Sequence, residues 1–343
     1  MKNFWQKLDK PIFVLAPMAN VTDSAFRWMF AKYGKPDVTW TEFVSADGLC
    51  SPIGKKKLLK DLEYSPKERP IVAQLFTGHP DKMCEAAKLV AKLKFDGLDI
   101  NMGCPDRAVE KQGGGSAMIK EPKNAVAVLE AAREGFGGPV TIKTRLGYNK
   151  VDWEWLELLL KQNLPVLTIH LRTRKEMSDV PAHWEIMPEI VKLRDRLQAE
   201  TPLKERTLII GNGDVESLED AREKVVKYGC DGVMIGRGIF GKPWFFENIT
   251  RIHEWTRMTR KIQIKERTPK ERLKIMLEHS KLFDKTFCGK GKNRHKSFAV
   301  MKKHFKAYVS GWDGAKELRA KLMEVDTYKE VKEIVDNYII NYV

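Results

Sequence analysis

Over the first 240 or so residues, short apolar runs rich in β-branched side chains alternate with stretches whose apolar positions recur every three or four residues, the pattern of repeated βα units. The runs predict strands at Ile12 to Ala16, Val38 to Phe43, Ile71 to Phe76, Gly97 to Asn101, Val140 to Thr144, Val166 to His170, Leu208 to Gly211 and Gly232 to Ile235. Between them, helices are expected at Asp23 to Tyr33 closed by Gly34, Pro80 to Lys94, Pro122 to Arg133 followed by Gly135, and Ser217 to Tyr228 closed by Gly229. Ser217 and Asp220 read as a capping box. Eight strands alternating with helices over this length predict a (β/α)8 TIM barrel rather than an open doubly wound sheet.

After Trp244 the periodicity is helical only, with apolar positions such as Leu273, Met276, Leu277, Leu318, Leu322, Val331 and Val335 at helical spacing. The charge-rich segment Arg257 to Lys274 reads as a boundary or a connecting helix. The expected organisation is a barrel domain over 1–250 followed by a smaller all-helical domain over 251–343. The net charge of +15 sharpens this picture, because residues 251–343 hold 23 lysines and arginines against 12 acids and leave only +4 for the rest. A compact basic domain points to a polyanion, and to RNA above a merely solvated helical surface. The N-terminus has only the short apolar run Ile12 to Ala16, so neither a signal peptide nor a membrane span is expected, and the reading is cytoplasmic. The even charge of the barrel fits a monomer with one RNA-facing side. Five cysteines without a Cys-x-x-Cys pair signal neither a disulfide framework nor a zinc site.

In such a barrel the active site lies at the C-terminal strand ends, and those ends are unusually polar. They carry Ala16-Pro17-Met18-Ala19, Gln74, Asp99-Ile100-Asn101-Met102-Gly103-Cys104-Pro105, Lys143 with Arg145, His170 with Arg172, Gly211-Asn212-Gly213-Asp214 and Gly236-Arg237-Gly238. Because an unpaired buried polar group costs about 1–3 kcal/mol, a ligand is expected to satisfy them. The glycine-bearing ends of strands seven and eight predict a phosphate site. Gly236-Arg237-Gly238-Ile239-Phe240-Gly241 has the letters of a dinucleotide fingerprint, but it closes a series of eight strands where a Rossmann unit would open one. Lys143 alone leaves a Schiff-base aldolase and a flavin enzyme evenly matched. Cys104, between Gly103 and Pro105 and ahead of Gly113-Gly114-Gly115, is expected in a mobile, exposed loop, where a mostly protonated thiol serves as proton donor or nucleophile.

At this point the residues resemble the tRNA-dihydrouridine synthase family along nearly the whole chain. The motifs are Ala16-Pro17-Met18 with Val21-Thr22-Asp23, Asp99 to Pro105, Gly113-x-Gly115-Ser116, Lys143-Thr144-Arg145-x-Gly147, His170-x-Arg172-Thr173-Arg174, Gly211 to Asp214 and Gly232 to Gly238, with Met301-Lys302-Lys303-His304-Phe305 as a weaker match in the basic domain. The resemblance implies an FMN at the barrel mouth, reduced by NADPH, whose hydride passes to C6 of a uridine in tRNA while Cys104 gives the proton to C5. It places Pro17, Met18, Ala19, Gln74, Lys143, His170, Asn212, Gly213, Asp214, Gly236 and Arg237 around FMN. Asn101, Arg145 and Arg172 fall beside the base, and Lys302 and Lys303 on the RNA. Departures from the family pattern are Leu171 where a small residue is usual, a loop from Lys175 to His183 without the expected Tyr-x-Gly, and an extended stretch from Asp195 to Arg206. Rival readings are a flavin barrel acting on a free small molecule, in the manner of dihydroorotate dehydrogenases, and an RNA-binding protein without catalysis. The basic domain argues against the first, and the joint presence of Cys104, Lys143 and His170 against the second.

Overall fold

A computed structural model describes residues 3–247, 249, 266–289 and 295–342, which form two compact units. The first comprises Met1–Ala19 and Pro36–Gly238. Its eight strands are β1 (Ile12–Leu15), β2 (Thr39–Ser45), β3 (Ile71–Phe76), β4 (Gly97–Met102), β5 (Val140–Arg145), β6 (Val166–His170), β7 (Leu208–Asn212) and β8 (Gly232–Ile235). All pair in parallel, each with its sequence neighbours, and β8 returns to β1 with Ile12 opposite Gly232. The remaining gap is closed by a parallel bridge from Val14 to Val38, just before β2. There Leu15 N donates to Val38 O (3.3 Å) and Asp37 N to Phe13 O (3.0 Å). The result is the TIM barrel that the alternating pattern predicts.

Strand parity explains what fills it, since alternate side chains point to the barrel interior. Ile12, Val14 and Ala16 of the first strand meet Val38, Trp40, Val72, Val166, Leu208, Ile210 and Met234 in one buried cluster, to which Trp5 is added from the N-terminal turn. The same parity carries Gln74, Asp99, Thr141, Asn101, Lys143, Thr168, Arg145, His170 and Asn212 inward. Apolar residues occupy the strand starts and polar ones the ends, so the interior turns from core to site along its axis.

Helix ends follow local chemistry. Ser217 Oγ accepts from Asp220 N (3.1 Å), but Asp220 reaches back to Glu216 N (3.0 Å) rather than to Ser217, so the expected box is only half made. The helix expected to end near Arg133 runs on through Gly135 to Phe136 and closes on Gly137, whose φ of +63° only glycine adopts cheaply. Gly135 stays helical because a Cβ there would lie 2.3 Å from Cys84 O and 2.8 Å from Ala87 Cβ on helix Pro80–Lys92. That helix ends at Lys92, two residues earlier than expected.

The second unit comprises Asn20–Lys35 and Ile239–Val343, so its division from the barrel falls at Gly238 rather than 250 and its first helix comes from the barrel's own first repeat. The reason lies in the apolar face of helix Ser24–Tyr33. Phe26 stacks on His279 (4.8 Å between centroids) and meets His304 edge-on (4.6 Å), while Phe30 packs against Phe246 (5.9 Å). Thr268 and Glu271 form a full capping box at the start of helix Pro269–Phe287, which places Lys270 to Lys274 inside a helix, whereas residues 257–265 of the expected connector lie outside the described residues. Helices Met301–Tyr308, Ala315–Met323 and Tyr328–Tyr342 complete the unit. Burial pushes His279 down to about 3 and His304 well below the ordinary histidine range, so both imidazoles are neutral core residues. Among the described residues no helix is long and apolar enough to cross a membrane.

Candidate active site

The C-terminal ends of the strands open into a cavity of about 540 Å³. Of the residues expected at the site, Cys104, Pro17, Met18, Gln74, Asn101, Lys143, Arg145, His170, Asn212, Gly213, Asp214, Gly236 and Arg237 all line it. Ala19 is exposed and Arg172 is buried behind the wall, and neither is part of the lining. Lys302 and Lys303 lie in the helical unit, where Lys302 faces Asp326 (3.4 Å).

The floor is a polar relay whose direction is fixed from both ends. Thr141 Oγ1 donates to Asp99 Oδ1, and Gln74 Nε2 donates to Asp99 Oδ2 (2.6 Å). Asn101 Nδ2 donates to Gln74 Oε1 (3.0 Å), which leaves Asn101 Oδ1 to accept from the backbone of Gly103 (3.2 Å) and Cys104 (2.9 Å). A carboxylate only accepts and a backbone N–H only donates, so one arrangement of both amides satisfies the chain. Burial pushes the Asp99 carboxyl up to about 6 against the pull of Gln74, Thr141 and the Lys143 ammonium.

Lys143 is half-buried, and no hydrogen bond or ion pair to another described residue engages its ammonium. Burial, reinforced by Arg145, lowers it to about 8. His170 is lowered well below its ordinary range by burial and then by Lys143, Arg145, Arg172 and Arg237, so it is neutral, and its Nδ1 is sealed from solvent without a partner among the described residues. Burial would raise Asp214, but its ion pair with Arg172, the Ala182 N–H (2.8 Å) and Arg237 (2.9 Å) hold it below the usual carboxylate range. Asp214 thereby tethers Arg237 at the rim. Gly213 has φ +131°, and a Cβ on it would come within 2.7 Å of Ala182 Cβ, whereas a Cβ on Gly236 would meet nothing closer than Met18 Sδ at 3.7 Å. One glycine is required by the backbone and the other leaves open space.

Cys104 departs from its expected mobile, exposed setting, because its thiol is half-buried and its turn is hydrogen-bonded throughout. Cys104 O accepts from Ser116 N (2.9 Å), and Arg145 Nε donates to Gly103 O (2.8 Å). Arg145 also donates to the carbonyls of Thr173 (2.9 Å) and Met177 (2.9 Å), so this cavity-lining guanidinium also clamps two loops. Burial raises the Cys104 thiol above its ordinary range, with Lys143 and Arg145 opposing, and the thiol is protonated at neutral pH. Arg172 NH1 stands 3.4 Å from His170 Nε2, and its Nε donates to Val180 O (2.5 Å).

A cavity with a protonated thiol, a neutral histidine, an ammonium engaged by no other described residue and a glycine-lined rim at barrel positions seven and eight can hold an anionic ligand and pass it a proton. The family profile described as Dihydrouridine synthase (Dus) matches residues 14–342. The chain belongs to the dihydrouridine synthase family. It is accordingly an enzyme, an oxidoreductase acting on a CH–CH bond. It is 40% identical over 343 residues to the "Probable tRNA-dihydrouridine synthase 2" of Bacillus subtilis (strain 168), covering 99% of this chain and 98% of that protein. To the "Probable tRNA-dihydrouridine synthase" of Staphylococcus aureus (strain COL) it is 40% identical over 339 residues, 98% of this chain and 96% of that one. Among solved structures, histamine dehydrogenase from Rhizobium sp. 4-9 shares the fold with TM-score 0.54 at 12% identity, covering 99% of this chain and 64% of that one. A 2-naphthoyl-CoA reductase does so with TM-score 0.51 at 10% identity, over 70% of this chain and half of that one.

Sequence reasoning missed several wall residues of this family member. Phe43 ends the expected second strand and lies two residues before the end of β2, so strand-end position was a usable signal, whereas Ser178 and Glu216 come from loops, where nothing marked them. The loop from Lys175 to His183, which lacks the family's Tyr-x-Gly, is held instead through Met177 O and Val180 O by Arg145 and Arg172.

Proposed function

We propose that this chain reduces uridine in tRNA to 5,6-dihydrouridine with FMN as cofactor and NADPH as reductant, acting as a cytoplasmic monomer. The observation that carries the reading is the set of unsatisfied groups on the cavity wall. No hydrogen bond or ion pair to another described residue engages the Lys143 ammonium, His170 stands neutral on the cavity wall, and the backbone at Gly236 lies open. These fit a flavin mononucleotide: Gln74, Lys143 and His170 for the ring's polar edge, Pro17 and Met18 for its apolar side, and Asn212, Gly213, Gly236 and Arg237 for ribityl and phosphate. An ammonium at the pyrimidine edge favours the reduced, anionic ring. Bound there, the flavin supplies a hydride, taken from NADPH, to C6 of the uracil.

The chain's own residues complete the addition. Hydride at C6 leaves an enolate that must be protonated at C5, and Cys104 is the protonated acid beside the cavity. Its thiolate is then stabilised by Lys143 and Arg145, whose charges pull the thiol down. Asn101 and Arg145 hold the turn that presents the thiol. The target base must leave its stack to reach the floor, which gives the +11 excess of residues 251–343 its use in gripping RNA.

The test is one titration. The purified protein should show an oxidised-flavin spectrum that bleaches anaerobically with NADPH and recovers on adding unmodified tRNA. Cys104→Ala should bleach normally yet recover about 100- to 10,000-fold more slowly, the range a general acid contributes. A colourless protein that takes up no FMN would overturn the flavin reading, and flavin indifferent to tRNA would overturn the substrate.

A further inference from the structure

The loop bearing Cys104 is closed by a carboxylate that neither its motif nor the cavity lining includes. Glu110 is the last residue of the short helix Arg107–Glu110, and its side chain is 15% exposed. Its Oε2 accepts from Arg174 NH2 (2.6 Å), while its Oε1 accepts from Arg174 Nε (3.1 Å) and from the Tyr148 hydroxyl (3.0 Å). Ser116 Oγ lies 2.9 Å from Glu110 Oε1 and 2.8 Å from Cys104 O, so its one proton is shared between the carboxylate and the carbonyl of the thiol-bearing residue. Arg174 NH2 also reaches Pro105 O (3.4 Å), and Arg174 N donates to Gly147 O (2.9 Å). Lys120 Nζ sits 3.7 Å from the centre of the Tyr148 ring. The loops after β4, β5 and β6 therefore meet on one carboxylate, with the two-pronged geometry that makes an arginine pair directional rather than a mere attraction.

We propose that Glu110 and Arg174 form a latch that positions the Cys104 thiol over the cavity, acting through Ser116 and Pro105 rather than touching substrate. The inference rests on the proposed role of Cys104 as proton donor. The backbone on either side of Cys104 is held from two directions: Asn101 and Arg145 grip it from the barrel interior, and the latch grips it from the outer rim. Releasing the outer grip leaves the interior grip and the cavity floor intact. The thiol then swings toward solvent, where it is less well aimed and more reactive. A displacement of about 1 Å in a reacting group costs on the order of 100-fold in rate, which sets the scale of the effect.

Two readouts test this with flavin-loaded enzyme. Glu110→Ala and Arg174→Ala should each lower kcat by about 10- to 100-fold with flavin content and KM for tRNA little changed. Alkylation of Cys104 by iodoacetamide, read on its own peptide by mass spectrometry, should speed up about tenfold as the thiol becomes accessible and burial no longer suppresses the thiolate. The double variant should be no worse than either single one, because both remove the same tether. Glu110→Gln, which keeps the acceptor for Ser116 but loses the charged fork, should fall between, and it carries the test if the alanine variant does not fold. Wild-type kcat with wild-type alkylation in the single variants, or additive losses in the double, would overturn the latch. If Cys104→Ala itself turns over normally, the proton-donor reading fails, and the alkylation rates alone still decide whether Glu110 and Arg174 hold the thiol.

Discussion

At the residue scale, the site is legible to the extent that strand parity makes it so. Gln74, Asn101, Lys143 and His170 stand at the ends of regular strands, where alternation decides which side chains face inward, and all four line the cavity. Lys143 offers a pH test. Its protonated form prevails below about 8 and is lost above it, so the charge proposed to support the reduced ring and the Cys104 thiolate disappears on the alkaline side. The rate of flavin reduction by NADPH should fall as pH rises through about 8, and Lys143→Met should be slow at every pH and lack that limb; stopped-flow traces across pH check both. Arg145 and Arg172 show where residue reading stops. Both were expected beside a substrate, and Arg145 does line the cavity, but the bonds that orient the two guanidinium groups run to carbonyls and to Asp214, choices fixed by loop paths that no spacing encodes. Glu110 lay beyond reach for the same reason, since Tyr148 and Arg174, which bind it across the loops, are 38 and 64 residues away in the chain.

At the element scale, the strand starts are legible, because β-branched runs begin abruptly after turn residues, and three strands match their expected bounds residue for residue. Helix ends were harder. Gly135 and Gly137 compete to end one helix, and only the approach of helix Pro80–Lys92 decides between them. Gly135→Ala should therefore destabilise the protein by about 1–3 kcal/mol, the usual penalty for overpacking, despite alanine's better helix propensity. Gly137→Ala, with nothing within 4 Å of its Cβ, should cost only its left-handed backbone. Urea midpoints for the two variants make the comparison, and equal losses would refute the packing argument.

At the scale of the whole molecule, charge distribution carried the partner reading and packing corrected the boundary. Lys302 and Lys303 lie on a helix whose other face, Met301, His304, Phe305 and Tyr308, is buried. Changing both lysines to glutamate should weaken tRNA binding and lower the slope of log affinity against log salt by about two, one for each lost phosphate contact, while flavin reduction by NADPH is untouched. An unchanged slope would remove this helix from the RNA surface. The position of helix Ser24–Tyr33 was invisible to periodicity, because an apolar stripe does not say which partner it will bury against. Its membership in the second unit has a consequence for assembly on the ribosome. Phe26 and Phe30 are synthesised some two hundred residues before His279, His304 and Phe246 emerge to cover them. The helical unit thus cannot complete its core until the barrel sequence has been made, and that core is joined by contacts of long sequence separation. Cutting the gene at the apparent join would yield a barrel with an orphaned greasy helix and a tail missing its keystone, and because the two units alternate along the chain, no circular permutation would make either of them contiguous.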